Sequence, residues 1–305
     1  MNKFLRAAKN LVKNPYLLYP YMGSLGFLNW LSDAAYLKGC FRAKMGYKLD
    51  LENPQTFNEK LQWLKLYDRN PAYTQMVDKY AVREYIKNTI GEEYLIPFLG
   101  VWDSFDEIDF DALPEQFVLK TNHDSGTVVI CKDKKTFDIE AAREKINKRI
   151  NYNYYHLWRE WPYKNVKHKI IAEEFMVDSD GVDGLTDYKF FCFNGYVDCV
   201  MVCLDRFTGD TKFYFFNEEW ELLRYNIRGR LAPADFSIPK LGCMDEMFDI
   251  ARRLSKGIPY VRVDLYAING KTYFGELTFF PDSGFDANLL AETDEYFGKL
   301  IEIKN

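Results

Sequence analysis

Two carboxylates near the C-terminus, Asp264 and Glu276, lie on two segments that alternate in polarity and are joined by a turn. The alternation predicts that Asp264 shares one strand face with Arg262, and that Glu276 shares one with Thr278. Two carboxylates that face each other repel unless a cation or a proton lies between them. Oxygen ligands beside a basic side chain suit Mg²⁺ shared with substrate phosphates. The alternative interpretation is a solvated sheet face with an Arg262 ion pair.

The turn between these strands determines whether the two carboxylates share a face. A two-residue turn at Asn269-Gly270 places Asp264 and Glu276 on opposite faces, because successive side chains of a strand alternate between its two sides. A three-residue loop over 268–270 places them on the same face. We therefore expect a type I turn with Gly270 in the left-handed conformation as a bulge. A bulge elsewhere in the hairpin restores the same parity.

A second hairpin, joined by Asn194-Gly195, carries Asp187 and Lys189 on its first strand. Pairing across a two-residue turn predicts that Lys189 faces the same side as Arg206 and as the alternate apolar residues of the return strand, Val200, Val202 and Leu204. Cations in such a position are either charges at the rim of a sheet or ligands of an anion. A rim charge is the default interpretation, and only the other motifs favour an anion site.

Lys120 precedes a loop of small polar residues, 122–127. Backbone N–H groups in such a loop can cradle phosphate oxygens, and a lysine adds a mobile positive charge. The pattern G-x-x-x-x-G-K-[ST] of phosphate-binding loops is absent from the sequence. Taken alone, the loop is more often an ordinary turn.

A further basic pair, Lys79 and Arg83, lies four residues apart in a predicted helix, Met76–Ile90. Residues at this spacing are neighbours on a helix surface, so the two cations are expected to repel each other. A docked anion relieves that repulsion, and so does Asp78 or Glu84. The acidic neighbour is the simpler explanation.

Short strands and helices interleave around these residues. We predict helices after a capping box at Thr56 and Glu59 and at Met76–Ile90, 138–150 and 245–256, and strands at 117–120, 128–131, 170–176, 187–193, 196–204, 260–267 and 271–279. Because the strands are joined by hairpins, the pattern favours the α+β class with antiparallel sheets.

The composition of the chain limits its class. Its 305 residues exceed the common size of one domain and predict two or three subdomains. The hydrophobic share of 48% excludes disorder, and the net charge of −5 argues against nucleic acid as a partner. Six cysteines and three histidines show no zinc-ligand spacing, so we expect free thiols in a reducing, cytoplasmic compartment.

The N-terminal segment shows neither a signal peptide nor a membrane span. Residues 14–32 carry no charge, but they contain prolines and glycines and fall short of the roughly 20 strongly apolar residues that a span needs. Four basic residues precede them, namely Lys3, Arg6, Lys9 and Lys13. Peripheral membrane contact through residues 1–32 is one expectation. A helical segment packed on the main body is the alternative that we favour.

Taken in order, these segments resemble the TupA-like family of ATP-grasp enzymes, which is found with bacterial surface-polysaccharide and teichuronopeptide biosynthesis. The resemblance covers about residue 50 to the C-terminus. It is carried by the runs TFNEKLQWLKLYDR (56–69), DKYAVREYI (78–86), FVLKTNHDSG (117–126), IAEEFM (171–176), DYKFFCFNG (187–195) and VRVDLY…YFGELTFFPDSG (261–284).

The resemblance implies an ATP-grasp fold, in which two subdomains with antiparallel sheets clasp a nucleotide, with a helical N-terminal extension. The implied extension is a family-specific region over residues 1–72, followed by an ATP-grasp region over 73–305. Within that region, residues 73–172 form the first nucleotide-clasping part, and residues 173–305 form the metal-binding part.

The resemblance also implies which residues hold the nucleotide. Lys79 and Lys120 correspond to lysines at its phosphates. The loop that closes over the phosphates includes Asn122, His123, Ser125 and Gly126, and His123 is expected to serve the loop or to contact substrate rather than to act as a base. The hinge that contacts adenine corresponds to Glu173, Glu174, Phe175 and Met176, and Asp187 corresponds to an acidic residue near the ribose.

The remaining residues correspond to the reacting end of the site. Lys189 and Arg206 resemble cations at the γ-phosphate or acyl phosphate, and Arg262 resembles a stabiliser of transition-state charge. Asp264 and Glu276 match the metal carboxylates. Thr278 stands where most ATP-grasp enzymes have asparagine, so a second metal is expected to bind through water or more weakly.

The implied cofactors are ATP and Mg²⁺, and the implied reaction phosphorylates a carboxylate and then joins it to an amine as an amide. The expected partners are a small-molecule or saccharide carboxylate, for example a uronic acid, and an amine. A kinase-like phosphotransferase, a glycosyltransferase that uses a nucleotide sugar, and a nucleotide-binding module without turnover are the alternatives. The number of subunits is not readable from the sequence.

Overall fold

The computed structural model describes residues 18–178, 185–205 and 211–303 of the chain. Its helices are α1 (Leu18–Ser24), α2 (Asp33–Met45), α3 (Phe57–Tyr67), α4 (Ala72–Val77), α5 (Val82–Thr89), α6 (Ile139–Ile150), α7 (Tyr155–Trp158), α8 (Ile227–Leu231), α9 (Met244–Ser255) and α10 (Ala291–Leu300). Its strands are β1 (Phe98–Trp102), β2 (Phe117–Thr121), β3 (Val128–Cys131), β4 (Ile170–Glu174), β5 (Asp187–Phe193), β6 (Tyr196–Leu204), β7 (Lys212–Phe216), β8 (Leu222–Leu223), β9 (Val261–Ile268) and β10 (Lys271–Thr278). Short 3₁₀ turns lie at Glu92–Tyr94, Phe105–Glu107, Trp161–Tyr163 and Pro281–Gly284.

Local sequence signals account for the ends of the N-terminal helices. Ser32 caps α2 by accepting the N–H of Ala35 at 3.3 Å, and α2 ends where Gly46 adopts a φ of 82°. At α3, Thr56 accepts the N–H of Glu59, and the Glu59 side chain accepts the N–H of Thr56. The predicted capping box is therefore confirmed.

The single helix predicted over Met76–Ile90 is wrong. The structure has two helices there, α4 and α5, separated by residues 78–81. Asp78 accounts for the break, because its Oδ1 accepts the backbone N–H groups of Tyr80 at 2.9 Å and Ala81 at 3.3 Å. Such bonds offer the backbone an alternative to the helix ladder.

Two antiparallel sheets carry the rest of the described chain. The first has the strand order β1-β4-β2-β3, and the second has the order β10-β9-β5-β6-β7-β8. Each pair of adjacent strands in both sheets is antiparallel. The predicted α+β class with antiparallel sheets and N-terminal helices is therefore confirmed.

Both predicted asparagine–glycine turns are two-residue turns. The φ angles are 49° and 87° at Asn194-Gly195, and 53° and 75° at Asn269-Gly270. Two consecutive left-handed residues define the type I′ turn, which matches the twist of the flanking strands. Each hairpin also contains a bulge, with Asp198 as the extra residue of β6 and Gly275 as that of β10. Each bulge shifts the pairing beyond it by one residue.

Apolar side chains fill one face of each sheet. On the six-stranded sheet, the ring of Phe190 in β5 lies 5.0 Å from that of Phe248 in α9, at 85° to it. On the four-stranded sheet, Phe117 of β2 and Ile146 of α6 are both fully buried in one cluster. The opposite face of the six-stranded sheet carries the charged residues of the candidate site.

The N-terminal helices pack against the segment that follows β10. The ring of Phe41 in α2 lies 6.2 Å from the ring of Phe285. Lys65 of α3 is fully buried, and its ammonium donates to the carbonyl oxygen of Ser283 at 2.6 Å. The helices therefore fix the path of the chain after the last strand.

The cysteines and the helices of the structure bear on two expectations drawn from the sequence. All six cysteines are free, and all except Cys243 are buried. The predicted unpaired thiols are therefore confirmed. Among the described helices, none combines the length and apolar character needed to cross a bilayer.

Candidate active site

Asp264 of β9 and Glu276 of β10 lie directly opposite each other in the last hairpin. Residues paired in this way point to the same side of a sheet. The residue that aligns them is Gly275, which forms the bulge between the two halves of β10. A Cβ atom at Gly275 would lie 2.9 Å from the backbone oxygen of Asp264, so glycine is the residue that fits there.

The three-residue loop predicted at 268–270 is wrong. The turn contains only Asn269-Gly270, because Lys271 pairs with Ile268. The parity of the two carboxylates is instead restored six residues after Asn269, at Gly275. The bulge within β10 places the two carboxylates on one face of the sheet, which is the effect expected of the longer loop.

Arg262 and Lys189 both hold the carboxylate of Asp264. Arg262 donates from Nε to Oδ1 and from Nη2 to Oδ2, each at 2.7 Å. Lys189 pairs with Asp264 across β5 and β9, and its ammonium donates to Oδ2. Burial raises the pKa of the Asp264 carboxyl, but the charges of Arg262 and Lys189 outweigh burial and hold that pKa below its usual value.

Glu276 is the accessible member of the acidic pair. Its side chain is 42% exposed, and its Oε1 lies 3.6 Å from Nη2 of Arg262. The hydroxyl of Thr278 donates to Oε1 of Glu276 at 3.3 Å and accepts from Nη2 of Arg262 at 3.2 Å. Asp264, Glu276 and Thr278 thus present a set of ligands made of oxygen atoms alone.

This donor set fits Mg²⁺, which prefers oxygen and commonly takes one or two protein carboxylates together with waters and substrate phosphates. Within the described ranges, no group of three or more His, Cys, Asp or Glu side chains is placed to hold a metal ion. The chain therefore offers part of a coordination shell. At Asp264, a metal would compete with Arg262 and Lys189 for the same two oxygens.

The bulge at Asp198 changes the neighbours of Lys189. Lys189 pairs with Met201 of β6, whereas an unbroken hairpin would pair it with Val200. The prediction that Lys189 faces the same side as Val200, Val202 and Leu204 is therefore wrong. Lys189 lies instead on the face of Met201 and, two residues further, Cys203.

Asp187 accompanies Lys189 on that face, as predicted. Its Oδ1 lies 3.7 Å from Nζ of Lys189, and 3% of its side chain is exposed. The ammonium of Lys189 is therefore shared between Asp187 and Asp264. The other predicted cation, Arg206, falls within residues 206–210, outside the described part of the chain.

Lys79 connects the two sheets electrostatically. Its backbone N–H donates to the carbonyl oxygen of Asn122 at 3.0 Å, and its ammonium donates to the carbonyl oxygen of Asp124. Burial lowers the pKa of Lys79, while the negative charges of Glu276 and Asp124 raise it against that effect. Lys79, in the break between α4 and α5, thus bonds to the loop after β2 and interacts electrostatically with Glu276 of β10.

Asn122 fixes the loop that it begins. Its amide donates to Oδ1 of Asp78 at 2.8 Å and to the carbonyl oxygen of Lys167 at 2.9 Å. Its Oδ1 accepts the backbone N–H of Lys169 at 2.7 Å. Because its amide group is engaged in this way, Asn122 anchors the loop, and other atoms of the loop remain to contact a ligand.

Ser125 and Gly126 form the exposed tip of the same loop. Gly126 has a φ of 93°, a conformation that favours glycine. Below the tip, the carboxylate of Asp124 accepts hydrogen bonds from the hydroxyls of Thr121 and Thr127. The base of the loop is therefore rigid, and its tip offers backbone N–H groups to solvent.

His123 packs inside the structure. Its ring stacks on that of His168 with centroids 3.7 Å apart and an angle of 10° between the planes. Burial and the neighbouring His168 lower the pKa of His123 to about 4. The ring is therefore neutral near pH 7, and its 1% exposure leaves it little access to a substrate.

Glu173 lies between two cations. Its Oε2 accepts from Nζ of Lys120 at 2.6 Å, and its Oε1 accepts from Nη1 of Arg83 at 3.2 Å. Arg83 was expected to pair with Asp78 or Glu84, and this ion pair with Glu173 replaces that expectation. The cations Lys120 and Arg83 are thus joined by one carboxylate on β4, an inner strand of the four-stranded sheet.

The rest of the predicted hinge follows at the end of β4. Glu174 is exposed, and its backbone N–H donates to the carbonyl oxygen of Pro97 at 3.0 Å. Phe175 and Met176 are half-buried and lie beyond the last residue of the strand. Because β4 ends at Glu174, the backbone groups of these two residues are not paired with a neighbouring strand that the structure describes. A segment whose backbone contacts a ligand needs such unpaired groups.

Two features of the site were missed by reasoning from the sequence. Arg83 joins it through Glu173, which a sequence pattern does not signal because the two residues are 90 positions apart. The segment after β10 also approaches the site through Asp282 and Asp286, which line the same cavity as Lys189. Asp282 lies in the run that carries the family resemblance, but no role had been attached to it.

Ligases are among the solved structures that are similar to this chain, at low similarity. D-alanine–D-alanine ligase from Helicobacter pylori is 15% identical with a TM-score of 0.43, over 81% of this chain and 69% of that one. D-alanine–D-alanine ligase from Bacillus anthracis complexed with ATP is 15% identical with a TM-score of 0.41, over 73% and 61%. The ATP-grasp ligase PsnB complexed with a precursor variant, Mg and ADP is 14% identical with a TM-score of 0.42, over 77% and 62%. The chain thus spans less than two thirds of the length of the latter two.

The family comparison is more specific. No curated protein matches the chain in sequence. The family model described as TupA-like ATPgrasp matches residues 59–302, which is most of the chain and includes both sheets. The match confirms the predicted ATP-grasp fold and the predicted kind of enzyme, an ATP-grasp enzyme. The chain belongs to the TupA-like ATP-grasp family.

Proposed function

We propose that this protein is an ATP- and Mg²⁺-dependent ligase that joins a carboxylate to an amine through an acyl phosphate. The observation that carries the proposal is the direct pairing of Asp264 with Glu276 on the face that also bears Lys189 and Arg262. Oxygen ligands and fixed cations on one face are what a Mg-triphosphate group requires.

The nucleotide lies between the two sheets in this proposal. Lys120 and Lys79 face its phosphates from the four-stranded sheet and from the α4–α5 break, and the loop tip at Ser125 and Gly126 closes over them. The proximity of Lys79 to Glu276 supports this arrangement, because it brings the two sheets to one site. Residues 173–176 are the proposed adenine hinge.

Asp264 and Glu276 would hold Mg²⁺, with Thr278 contributing directly or through water. When bound, Mg²⁺ neutralises charge on the phosphates and favours transfer of the γ-phosphoryl group. Lys189 and Arg262 orient the same phosphoryl group and stabilise its negative charge as it transfers. Arg206 is proposed to add a third cation.

The proposed reaction proceeds in two steps. An oxygen of the substrate carboxylate attacks the γ-phosphorus of ATP, and the bond from that phosphorus to the bridging oxygen breaks, releasing ADP. The amine nitrogen then attacks the carbonyl carbon of the acyl phosphate, the bond from that carbon to the phosphate oxygen breaks, and the nitrogen loses a proton. The products are an amide, ADP and phosphate, and the side chains named above position reactants and stabilise charge.

The proposed setting is the biosynthesis of a bacterial cell-surface polysaccharide, for which the family membership is the support. A carboxylate on a saccharide or a small molecule is the proposed acid. We further propose a cytoplasmic enzyme with peripheral membrane contact through residues 1–32. The exposure of Phe27 at 64% and Trp30 at 79% supports that contact, because aromatic rings favour the membrane interface.

Product analysis tests the proposed reaction. The enzyme is incubated with Mg-ATP and a panel of acids and amines, each alone and in pairs, and ADP and phosphate are measured separately. The proposal expects both products in equal amounts only when an acid and an amine are present. ADP without phosphate, together with a phosphorylated acceptor, would show a kinase, and release of UDP or GDP from a nucleotide sugar would show a glycosyltransferase.

A further inference from the structure

A cavity of about 260 Å³ lies on the charged face of the six-stranded sheet, next to Lys189 and Arg262. At about 30 Å³ of liquid volume for each water, this space corresponds to about nine waters. It therefore has room for a molecule of the size of an amino acid or one sugar. Because Lys189 and Arg262 line the cavity, a molecule inside it lies beside the phosphoryl group in the proposed arrangement.

The floor of the cavity is apolar. Met201 of β6 and Phe213 and Phe215 of β7 line it from the sheet, and Leu289 lines it from the segment after β10. Such a surface suits the carbon skeleton of a ligand.

Five charged residues line the cavity: Asp187, Lys189 and Arg262 on the strands, and Asp282 and Asp286 in the segment after β10. Lys189 and Arg262 are already bound to Asp264, which neutralises much of their charge. In the segment after β10, Asp282 and Asp286 form no ion pair with any residue that the structure describes. Around these two residues the lining is therefore acidic, which disfavours a second carboxylate and favours a cation.

The acidic wall is held in place by the fold. Asp282 and Ser283 have φ angles of 45° and 54°, a left-handed conformation that residues other than glycine seldom adopt. The carbonyl oxygen of Ser283 accepts from the buried ammonium of Lys65 at 2.6 Å, and its hydroxyl donates to Glu160 at 2.6 Å. Such strain persists only where the surroundings enforce it, and here they present Asp282 to the cavity.

The environment of Asp286 agrees with an acidic wall. Burial, and then the negative charge of Asp282, raise the pKa of Asp286 to about 6. A cation between the two carboxylates relieves both effects, because it compensates lost hydration and separates like charges.

We propose that this cavity binds the amine substrate, with its ammonium group at Asp282 and Asp286 and its carbon skeleton on Met201, Phe213 and Leu289. The inference rests on the proposed function, since it assigns one of the two substrates of that ligase to a place in the structure. Bound there, the nitrogen of the amine lies between these two carboxylates and the phosphoryl end, where Lys189 and Arg262 hold the activated acid. One of the two carboxylates takes the proton that the ammonium loses before its nitrogen attacks the acyl carbon.

Ligand-observed nuclear magnetic resonance with three probes of matched size tests this assignment without ATP. The probes are n-butylamine, butan-1-ol and butyrate. The full-length protein is expected to bind the amine at least tenfold more tightly than the alcohol or the acid. Asp282→Asn combined with Asp286→Asn is expected to weaken amine binding at least tenfold, because the amides keep the shape and remove the charge. The control Asp235→Asn changes an exposed acid outside the cavity and should leave binding unchanged.

A second variant covers the case in which the amide variant fails to fold. Met201→Phe fills the cavity floor without altering its charge and should also abolish amine binding. Equal binding of the amine and the alcohol, tighter binding of butyrate, or an undiminished amine signal in Met201→Phe would each overturn the assignment. Because these measurements contain no nucleotide, they stand apart from the ADP and phosphate assay, and either proposal can fail while the other holds.

Discussion

The carboxylate of Asp264 is balanced by two cations at once, Arg262 and Lys189, in a place where 1% of the residue is exposed. Desolvating three charged groups is costly, and their mutual attraction offsets that cost only while all are present. A site of this kind is prepared for a highly charged ligand, since the cations are fixed before the ligand arrives.

We expect Asp264→Asn to lower the free energy of unfolding by about 3 kcal/mol, because it leaves Arg262 and Lys189, which are largely shielded from water, with only their longer ion pairs to Glu276 and Asp187. The matched control is Asp249→Asn, which removes an exposed partner of Arg252 and should cost less than about 1 kcal/mol.

Because the folded pKa of Asp264 is lowered, its stabilising contribution is present above the unfolded pKa of about 3.9 and is lost as pH falls below it. Urea unfolding at pH 7 and pH 3 measures both effects. If the free energies of unfolding of Asp264→Asn and of the unaltered protein differed little at pH 7 and more at pH 3, this explanation would be contradicted.

We expect Glu276→Ala to abolish Mg-dependent turnover and to leave the fold intact. The side chain is 42% exposed and has one ion pair at 3.6 Å, so its removal takes little from stability. Glu219→Ala, at an exposed position remote from the site, is the control for a lost negative charge. Circular dichroism and the release of ADP measure the two outcomes. Full activity in Glu276→Ala would remove this residue from the site.

The residue types of the site were readable from the sequence, and their partners were not. Asp264, Glu276 and Arg262 stood out because alternation along a strand is a local signal. The contact of Glu173 with Arg83 depends on how α5 packs against β4, which no local pattern encodes. His123 carried no sign that it would stack on His168 and lose its access to substrate.

At the scale of elements, two bulges determine which side chains share the charged face. The turn positions were predicted correctly from asparagine–glycine pairs, because these residues tolerate left-handed backbone. A bulge within the last hairpin was one of the two predicted ways to align the carboxylates, but neither its position at Gly275 nor the bulge at Asp198 was predicted. Gly275 is a weak signal, since glycine within a strand favours a bulge, but Asp198 offers no such signal. The residues that pair across each hairpin beyond its bulge are therefore known only from the structure.

We expect Gly275→Ala to lower the free energy of unfolding by about 1–3 kcal/mol and to reduce turnover. The added methyl group would lie 2.9 Å from the backbone oxygen of Asp264 and 3.0 Å from the Tyr266 ring, so β9 and β10 must separate or the register must change. The control Gly242→Ala adds a methyl group with nothing within 4 Å, and should be nearly neutral. The urea unfolding midpoint and the rate of ADP release are measured for both variants. Equal stability and activity of the two variants would show that the bulge does not align the carboxylates.

At the scale of the whole molecule, the two sheets and the N-terminal helices converge on one site. Lys79 lies in the break between α4 and α5, bonds to the loop after β2, and feels the charge of Glu276 in the other sheet. Lys65 of α3 supports the segment after β10 from the opposite side. Family resemblance predicted this convergence, whereas composition and periodicity predicted only the elements.

We expect Lys79→Met to weaken binding of Mg-ATP by roughly 10- to 100-fold, the loss expected for one charged hydrogen bond to the phosphates. Lys87→Met removes an exposed lysine paired with Glu92 and serves as the control. Isothermal titration calorimetry with a non-hydrolysable ATP analogue measures both affinities. Unchanged affinity in Lys79→Met would place the nucleotide away from the junction of the sheets.

The central claim is that Asp264 and Glu276 hold a divalent cation together with the nucleotide. Electron paramagnetic resonance of Mn²⁺, used in place of Mg²⁺, counts bound metal directly in the presence and absence of a non-hydrolysable ATP analogue. The account predicts Mn²⁺ binding that depends on the nucleotide in the unaltered protein and is lost in Glu276→Ala. Nucleotide-dependent Mn²⁺ binding that persists at full affinity in Glu276→Ala would contradict it.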